Sequence, residues 1–167
     1  MAGGLTDPVS DVRAHLTAPF EAGIVVRDLE RMERFYREVL GCVEVHRSRV
    51  PASIAAAAGL GGELLVVWLQ VPAGGRVKLV LPQAGSAPGD SVVPLTARRG
   101  LSYLTFPLDD LGPVVTALAA GGARSLSDPV VVRARGRRIS FWADPEGNVL
   151  ELVDERGDER EPGPSET

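Results

Sequence analysis

Residues 22–41, "AGIVVRDLERMERFYREVLG", combine two hydrophobic patterns, one typical of a strand and the next of a helix. The β-branched beginning predicts a strand that ends at Asp28, and aspartate is a favoured residue at a helix N-cap. Apolar residues then recur at helical spacing as far as Gly41, where the glycine predicts the end of the helix. The stretch therefore predicts a strand followed directly by an amphipathic helix.

The same pattern returns at residues 103–122, in "YLTFPLDDLGPVVTALAAGG". Each half of the chain also closes with a hairpin pattern, "LLVVWLQVPAGGRVKLVL" in the first half and "RRISFWADPEGNVLELV" in the second. Each half thus reads as a strand, a helix and about three further strands. An internal repeat of this kind predicts two copies of one supersecondary unit packed with pseudo-symmetry.

The repeat and the Gly-, Pro- and Ser-rich stretches predict where the chain divides. A charged C-terminal stretch without apolar anchors, "DERGDEREPGPSET", is typical of a disordered tail. The predicted segments are a leader at 1–19, a folded body at 20–153 made of module one (20–82), a linker (83–99) and module two (100–153), and the tail at 154–167.

Composition excludes several classes of protein. The net charge of −4 argues against a nucleic-acid binder, which would usually carry a basic face. The single cysteine, Cys42, excludes an internal disulfide and fits a reducing compartment. The sequence also has no apolar run of the roughly 18 residues that span a bilayer. We therefore expect a cytoplasmic protein that binds neither nucleic acid nor membrane.

Aligning the two halves brings four candidate catalytic residues to equivalent positions. The alignment pairs Glu21 with Tyr103, and it pairs Lys78, the only lysine of the chain, with Glu151. Side chains two apart share a face of a strand, and the apolar neighbours of these residues alternate onto the helix side. We therefore expect all four side chains on the face of the sheet that is turned away from the helices.

Four further residues are candidates for substrate binding: His46, Trp68, Thr105 and Trp142. Thr105 lies two residues after Tyr103 and is therefore predicted to share a face of the strand with it. The two tryptophans occupy equivalent hairpin strands, where they either form the wall of a pocket or fill the core. His46 either reaches the mouth of a pocket or occupies an exposed strand position.

The repeat, with its segments "RDLERMERFYREVLG", "PAGGRVKLV" and "DPEGNVLELVD", resembles the vicinal oxygen chelate superfamily over roughly residues 20–153. That superfamily includes glyoxalase I, methylmalonyl-CoA epimerase, extradiol dioxygenases and the fosfomycin- and bleomycin-resistance proteins. The segment "VPASIAAAAGLGGELLVVWLQVPAGG" is most similar to the epimerase-like branch. The resemblance implies an α+β fold in which two βαβββ modules form an eight-stranded, deeply curved sheet enclosing a bowl.

In the metal-dependent members the bowl holds one divalent ion between the first and last strands of each module. The corresponding positions in this chain are Glu21, Lys78, Tyr103 and Glu151, and only Glu151 matches the usual ligand pattern without reservation. A lysine ammonium competes with a metal ion for the same carboxylates, so we favour a bowl without metal or other cofactor. The alternative is a divalent ion held by Glu21, Tyr103 and Glu151.

These residues predict a small-molecule enzyme of specialised metabolism, of the isomerase or lyase type. Glu21, Lys78, Tyr103 and Glu151 would perform metal-independent acid–base chemistry on a carbonyl-containing or polyketide-like metabolite: epimerisation, isomerisation, cyclisation or elimination. One alternative is a bleomycin-resistance-type protein that sequesters a hydrophobic antibiotic, and a third is an atypical metal-dependent lyase or dioxygenase. We expect Lys78 to pair with Glu21, Glu151 or both, and the protein to be a homodimer.

Overall fold

The computed structural model describes residues 18–89, 95–97, 99–128, 130–132 and 137–154. Apart from residues 18–19, the predicted leader lies outside the described residues, and so does the predicted tail beyond Asp154. None of the helices described is both long enough and apolar enough to cross a membrane.

The first module forms one four-stranded sheet with strand order β1-β4-β3-β2. β1 runs parallel to β4, and the other neighbours are antiparallel. Its elements are β1 (Glu21–Val25), α1 (Leu29–Glu38), β2 (Val43–Val50), α2 (Ala52–Ala57), β3 (Leu64–Gln70) and β4 (Arg76–Pro82).

The second module repeats this topology with strand order β5-β9-β8-β6, and β7 also pairs with β8. β5 runs parallel to β9, as β1 does to β4. Its elements are β5 (Leu104–Leu108), α3 (Leu111–Ala120), β6 (Arg124–Ser125), β7 (Val130–Val132), β8 (Arg137–Ala143) and β9 (Val149–Asp154).

The predicted α+β fold of two pseudo-symmetric modules is confirmed. Among the described residues, the strands form two hydrogen-bonded sheets, of four and five strands, rather than one continuous sheet. Two short strands, β6 and β7, pair with β8 where the first module has the single strand β2. The sheets are separate because β1 and β5 are edge strands: among the described residues, β1 pairs only with β4 and β5 only with β9.

Both long helices begin at the predicted acidic caps. The Asp28 carboxylate accepts the backbone N–H of Arg31 at 3.0 Å, and the Asp110 carboxylate accepts that of Gly112 at 2.9 Å. These side chains satisfy backbone donors that have no partner within the first helical turn. α1 ends before Gly41, which adopts a positive φ of 68° that favours glycine.

The two modules share one hydrophobic core on the helix side of the sheets. Met32 and Phe35 of α1 belong to the same buried cluster as Leu118 of α3 and Leu150 of β9. The approach is close at Gly121, where an added Cβ would lie 2.8 Å from the Val39 side chain. A larger residue at this position would push the two helices apart.

Polar contacts, one of them buried, join α1 and the residues before it to the turn between β8 and β9. The Tyr36 hydroxyl donates to Oδ2 of Asp144 at 3.0 Å, and both residues are buried. The Glu146 carboxylate accepts the backbone N–H groups of Arg27 at 2.8 Å and Asp28 at 2.6 Å. The turn of the second module therefore caps the start of the first module's helix.

α2 lies on the opposite side of the first sheet from α1. Its one buried residue, Ala55, packs against Leu64 and Val66 of β3. Arg49, near the end of β2, and Glu63, directly before β3, form an ion pair in which Arg49 Nη1 lies 2.5 Å from Glu63 Oε1. This pair joins the two ends of the segment that carries α2. α2 therefore covers part of the sheet face that the long helices leave free.

Candidate functional site

The candidate site lies on the face of the two sheets that is turned away from α1 and α3, which we call the open face. In β1 and β4 the buried residues Ile24 and Leu79 belong to the shared core, whereas Glu21 and Lys78 alternate onto the open face. In β9, Glu151 lies between the fully buried Leu150 and Leu152 and takes the same face of the second sheet.

Glu21 and Lys78 form an ion pair across the parallel strands β1 and β4. Lys78 Nζ lies 2.8 Å from Glu21 Oε2, and Arg76 Nη1 lies 3.1 Å from Glu21 Oε1. The hydrogen bond from Lys78 is the main reason that the pKa of Glu21 lies below its ordinary value, and Arg76 lowers it further. The predicted pairing of Lys78 with Glu21 is confirmed, and both side chains remain partly exposed to solvent.

Arg76 was not identified from the sequence as part of the site. It lies directly opposite Glu21 in the parallel register, and its Nε donates to Oε1 of Gln70 at 3.1 Å. Gln70 is fixed in turn, since its Nε2 donates to the carbonyl of Gly75 at 2.7 Å. The Glu21 carboxylate therefore contacts two cations, one of which is held by the β3–β4 hairpin.

Glu151 has a different kind of partner on the second sheet. Thr105 lies opposite Glu151 in the parallel register of β5 and β9, and its hydroxyl donates to Glu151 Oε2 at 2.6 Å. Thr105, expected to bind substrate, thus contacts a candidate catalytic carboxylate. Among the residues that the structure describes, no cation forms an ion pair with Glu151.

Aromatic rings lie beside both polar pairs. Trp68 is opposite Lys78 in the antiparallel register, and Lys78 Nζ lies 6.0 Å from the centroid of its ring. The His46 ring packs on the same indole, with centroids 4.8 Å apart. These three residues form a row across the open face of the first sheet.

On the second sheet the aromatic neighbour is Phe141, which sequence reasoning missed. Phe141 is opposite Glu151 in the antiparallel register of β8 and β9, and Tyr103 packs edge-to-face on its ring at 5.3 Å. Tyr103 precedes β5 and is 40% exposed. Adjacent side chains in "ISFWA" alternate between the two faces of the strand. Since Trp142 faces the core, this alternation places Phe141 on the open face, and it was the signal by which Phe141 could have been predicted.

That tryptophan, Trp142, corrects one expectation. It was a candidate for substrate binding, but it is 6% exposed and lies in the shared core on the helix side. Its Nε1 donates to Oγ of Ser140 at 2.9 Å, which satisfies the buried indole. Trp142 pairs with the core residue Leu150, so its strand phase is opposite to the one that a pocket wall would need.

The four candidate catalytic residues share the open face but do not form one cluster. Within the described part of the chain, no hydrogen bond or ion pair joins Glu21 and Lys78 to Glu151, and Tyr103 contacts Phe141 instead. The open face therefore carries two separate polar pairs, each flanked by aromatic rings. The catalytic roles of these residues stay predictions.

The donor set at the family's metal-ligand positions does not fit a divalent ion. The ammonium of Lys78 is bound to one of the two carboxylates, where it competes with any metal cation. Nor do the described ranges place three or more His, Cys, Asp or Glu side chains where they could hold a metal ion together.

A cavity of about 760 Å³ lies at the seam between the modules, between β1 and the turn that joins β8 to β9. Tyr103 lines it together with Gly23 of β1, whereas Glu21, Lys78 and Glu151 do not. The cavity therefore adjoins the open face beside Tyr103 without containing the two polar pairs.

A protein-family model described as Glyoxalase/Bleomycin resistance protein/Dioxygenase superfamily matches residues 14–152 of the chain. No curated protein sequence matches the chain. Several solved structures share the fold of this chain, at sequence identities that are too low to transfer a function.

A glyoxalase family protein from Bacillus cereus has a TM-score of 0.73 at 22% identity, covering 86% of this chain and 97% of its own. The glyoxylase/bleomycin resistance protein/dioxygenase domain from Frankia sp. EAN1pec has a TM-score of 0.58 at 21% identity, covering 85% and 92%. The fosfomycin resistance protein FosX from Mesorhizobium loti has a TM-score of 0.54 at 18% identity, covering 84% and 93%. Since the family model spans most of the sequence and both modules are present, the chain belongs to the Glyoxalase/Bleomycin resistance protein/Dioxygenase superfamily.

Proposed function

We propose that the protein is a small-molecule enzyme that uses Glu151 as a general base on a carbonyl-containing metabolite, without a metal ion. The observation that supports this most directly is the difference between the two carboxylates of the open face. Glu21 contacts two cations, whereas the partner of Glu151 among the described residues is the Thr105 hydroxyl, which donates one hydrogen bond to it. No cation of the described residues contacts the Glu151 carboxylate, while the hydrogen bonds from Lys78 and Arg76 favour the charged form of Glu21.

The proposed reaction begins with removal of a proton from the carbon next to the substrate carbonyl. Thr105 holds Oε2 of Glu151, which leaves Oε1 to accept that proton. The electron pair of the broken C–H bond moves onto the carbonyl oxygen, so the intermediate is an enolate. Return of the proton to another face or another carbon would complete an epimerisation or isomerisation, and loss of a leaving group would complete an elimination.

Tyr103 and Lys78 are the proposed donors to the developing enolate oxygen. The Tyr103 ring packs on Phe141, which lies opposite Glu151 in the register of β8 and β9, and Lys78 supplies a positive charge that Glu21 and Trp68 keep in place. Donors arranged before the reaction stabilise the charge that forms in the transition state. The aromatic rings of Trp68 and Phe141 would flank the flat part of the substrate.

Deuterium exchange tests the assignment of the base without knowledge of the natural substrate. A panel of simple ketones and 2-oxo acids in D₂O, followed by proton NMR with the exchange in buffer alone subtracted, reports removal of the α-proton. We expect Glu151→Gln to slow exchange by about 10²–10⁴-fold, the usual contribution of a general base. The matched variant Glu21→Gln should have a smaller effect, because Glu21 holds Lys78 and does not take the proton. Equal exchange by Glu151→Gln and wild type would rule out the proposed base.

The second candidate function is sequestration of a hydrophobic antibiotic, and the paired aromatic rings favour it. The two ring pairs, His46 with Trp68 and Tyr103 with Phe141, would bind flat apolar ligands without catalysing a reaction. A sequestering protein would return its ligand unchanged, and its affinity would fall in Trp68→Ala but not in Glu151→Gln. Enzyme activity that is lost on addition of a chelator and restored by a divalent ion would instead favour an atypical metal-dependent lyase or dioxygenase.

A further inference from the structure

We propose that the seam cavity, which meets the proposed active site at Tyr103, is a second binding site for an amphipathic organic anion: an apolar body that carries one carboxylate. The cavity holds about 760 Å³, within the range of roughly 300–1,000 Å³ that small-molecule sites occupy. It is bordered by β1 of the first module and by the β8–β9 turn and β6 of the second. Its ligand would therefore contact both modules at once.

The charges that line the cavity favour an anion. Arg27 and Arg124 both line it, and neither has an ion-pair partner among the described residues. Glu146 is the one acidic residue among the described residues lining the cavity, and both of its oxygens already accept backbone N–H groups of Arg27 and Asp28. One positive charge is therefore in excess, although the whole chain carries a net charge of −4.

The apolar lining favours a ligand with a hydrophobic body. Leu95, Leu101, Leu126 and Val149 line the cavity together with Val25. Leu101 is 77% exposed and Val25 is 55% exposed, so large apolar side chains on the cavity wall are not covered by the protein itself. Burial of such surface by a ligand is favourable, and the adjacent arginines would select a ligand with a negative end.

Gly23 provides a way to block the cavity without disturbing the core. It lines the cavity on the open face of β1, and an added Cβ would meet no atom within 4 Å. Its φ is not positive, so a larger residue can adopt the same backbone conformation. Gly23→Leu should therefore fold normally and place its side chain in the space that the ligand would occupy.

Isothermal titration calorimetry with 4-phenylbutyrate and octanoate, each compared with its primary amide, tests the proposal. The carboxylates should bind at least tenfold more tightly than the amides, because charge-assisted hydrogen bonds to guanidinium are the stronger ones. The double variant Arg27→Gln/Arg124→Gln should weaken carboxylate binding by about tenfold or more. The control Arg34→Gln removes an exposed arginine of α1 outside the cavity and should leave affinity unchanged.

Three results would each overturn the proposal: no binding of either carboxylate, equal binding of carboxylates and amides, or unchanged binding by Gly23→Leu. Circular dichroism and thermal melts confirm that each variant is folded before its affinity is compared. Glu151→Gln should bind the carboxylates as wild type does, because Glu151 does not line the cavity. Loss of catalysis with retained carboxylate binding would therefore separate this site from the proposed active site.

Discussion

The ion pair of Lys78 with Glu21 positions two charged residues of the candidate site but contributes little to the stability of the fold. The side chain of Lys78 is 32% exposed and that of Glu21 is 27% exposed, so water screens the pair. Exposed ion pairs contribute little to folding. We therefore expect Lys78→Met to change the melting temperature little while the Glu21 pKa rises towards its ordinary value, as measured by NMR titration.

The direction of the pH dependence follows from the lowered pKa of Glu21. A carboxyl group whose folded pKa is depressed contributes stability above its unfolded pKa and loses it as the pH falls through the folded pKa. Any stability difference between wild type and Lys78→Met should therefore vanish in acid. Lys78→Arg keeps the positive charge and is the matched control. If Glu21 titrates identically in wild type and Lys78→Met, the ion pair does not exist in solution.

The faces of Glu21, Lys78 and Glu151 could be predicted because strand alternation is a local property of the sequence. The contact of Arg76 with Glu21 could not, since it depends on the register with which β1 pairs with β4. The same holds for the hydrogen bond from Thr105 to Glu151, which joins residues 46 positions apart. Local patterns therefore predicted which face each residue takes but not which residue it contacts.

At the scale of elements, α2 is held to the open face of the first sheet by one alanine. Ala55 is fully buried, while Ala57 of the same helix is exposed. Ala55→Leu should lift α2 from the sheet, because a larger side chain has no space there. Hydrogen–deuterium exchange should then rise in residues 52–58 while β3 and β4 stay protected. The matched variant Ala57→Leu should leave exchange unchanged, and equal exchange in the two variants would contradict this packing.

α1 was predicted almost to its ends, whereas α2 was not assigned from the sequence at all. Helical spacing of apolar residues and an aspartate cap identify α1 across several turns. α2 has six residues and a single buried position, so no periodicity distinguishes it from a loop. The high helix propensity of its alanines was the one available signal.

At the scale of the whole molecule, the modules are joined through Tyr36 and Asp144. Burial raises the pKa of Asp144, even though Tyr36 and the backbone of the turn donate hydrogen bonds that lower it. Tyr36→Phe removes one such donor and should destabilise the protein by about 1–2 kcal/mol at pH 7, measured by urea denaturation. Tyr103→Phe, which removes an exposed hydroxyl, is the control and should cost nothing measurable.

The sign of the pH effect follows from the raised pKa of Asp144. A folded pKa above the unfolded value means that the stability contribution of the group is lost as the pH rises through the folded pKa. Tyr36→Phe should raise this pKa further, so the variant should lose more stability at pH 7 than at a pH where Asp144 is protonated. A destabilisation that does not depend on pH would show that the hydroxyl does not contact the carboxylate.

The pairing of modules could be predicted from the repeat, but the division into two sheets could not. It depends on which strands pair at the edges of the sheets, and among the described residues β1 pairs only with β4 and β5 only with β9. Both modules already share a core within one chain, so the expected homodimer stays a prediction that the fold does not require.

The cap that Glu146 places on α1 also has a consequence for synthesis on the ribosome. Arg27 and Glu146 are separated by 119 positions, so the helix emerges long before the carboxylate that completes its first turn. At rates of about 5–20 residues per second, that interval lasts roughly 6–24 s. During this time the apolar side of α1 lacks the core residues that the second module supplies, such as Leu118 and Leu150. The first module therefore obtains its complete core and its helix cap only after the last hairpin of the chain has been synthesised.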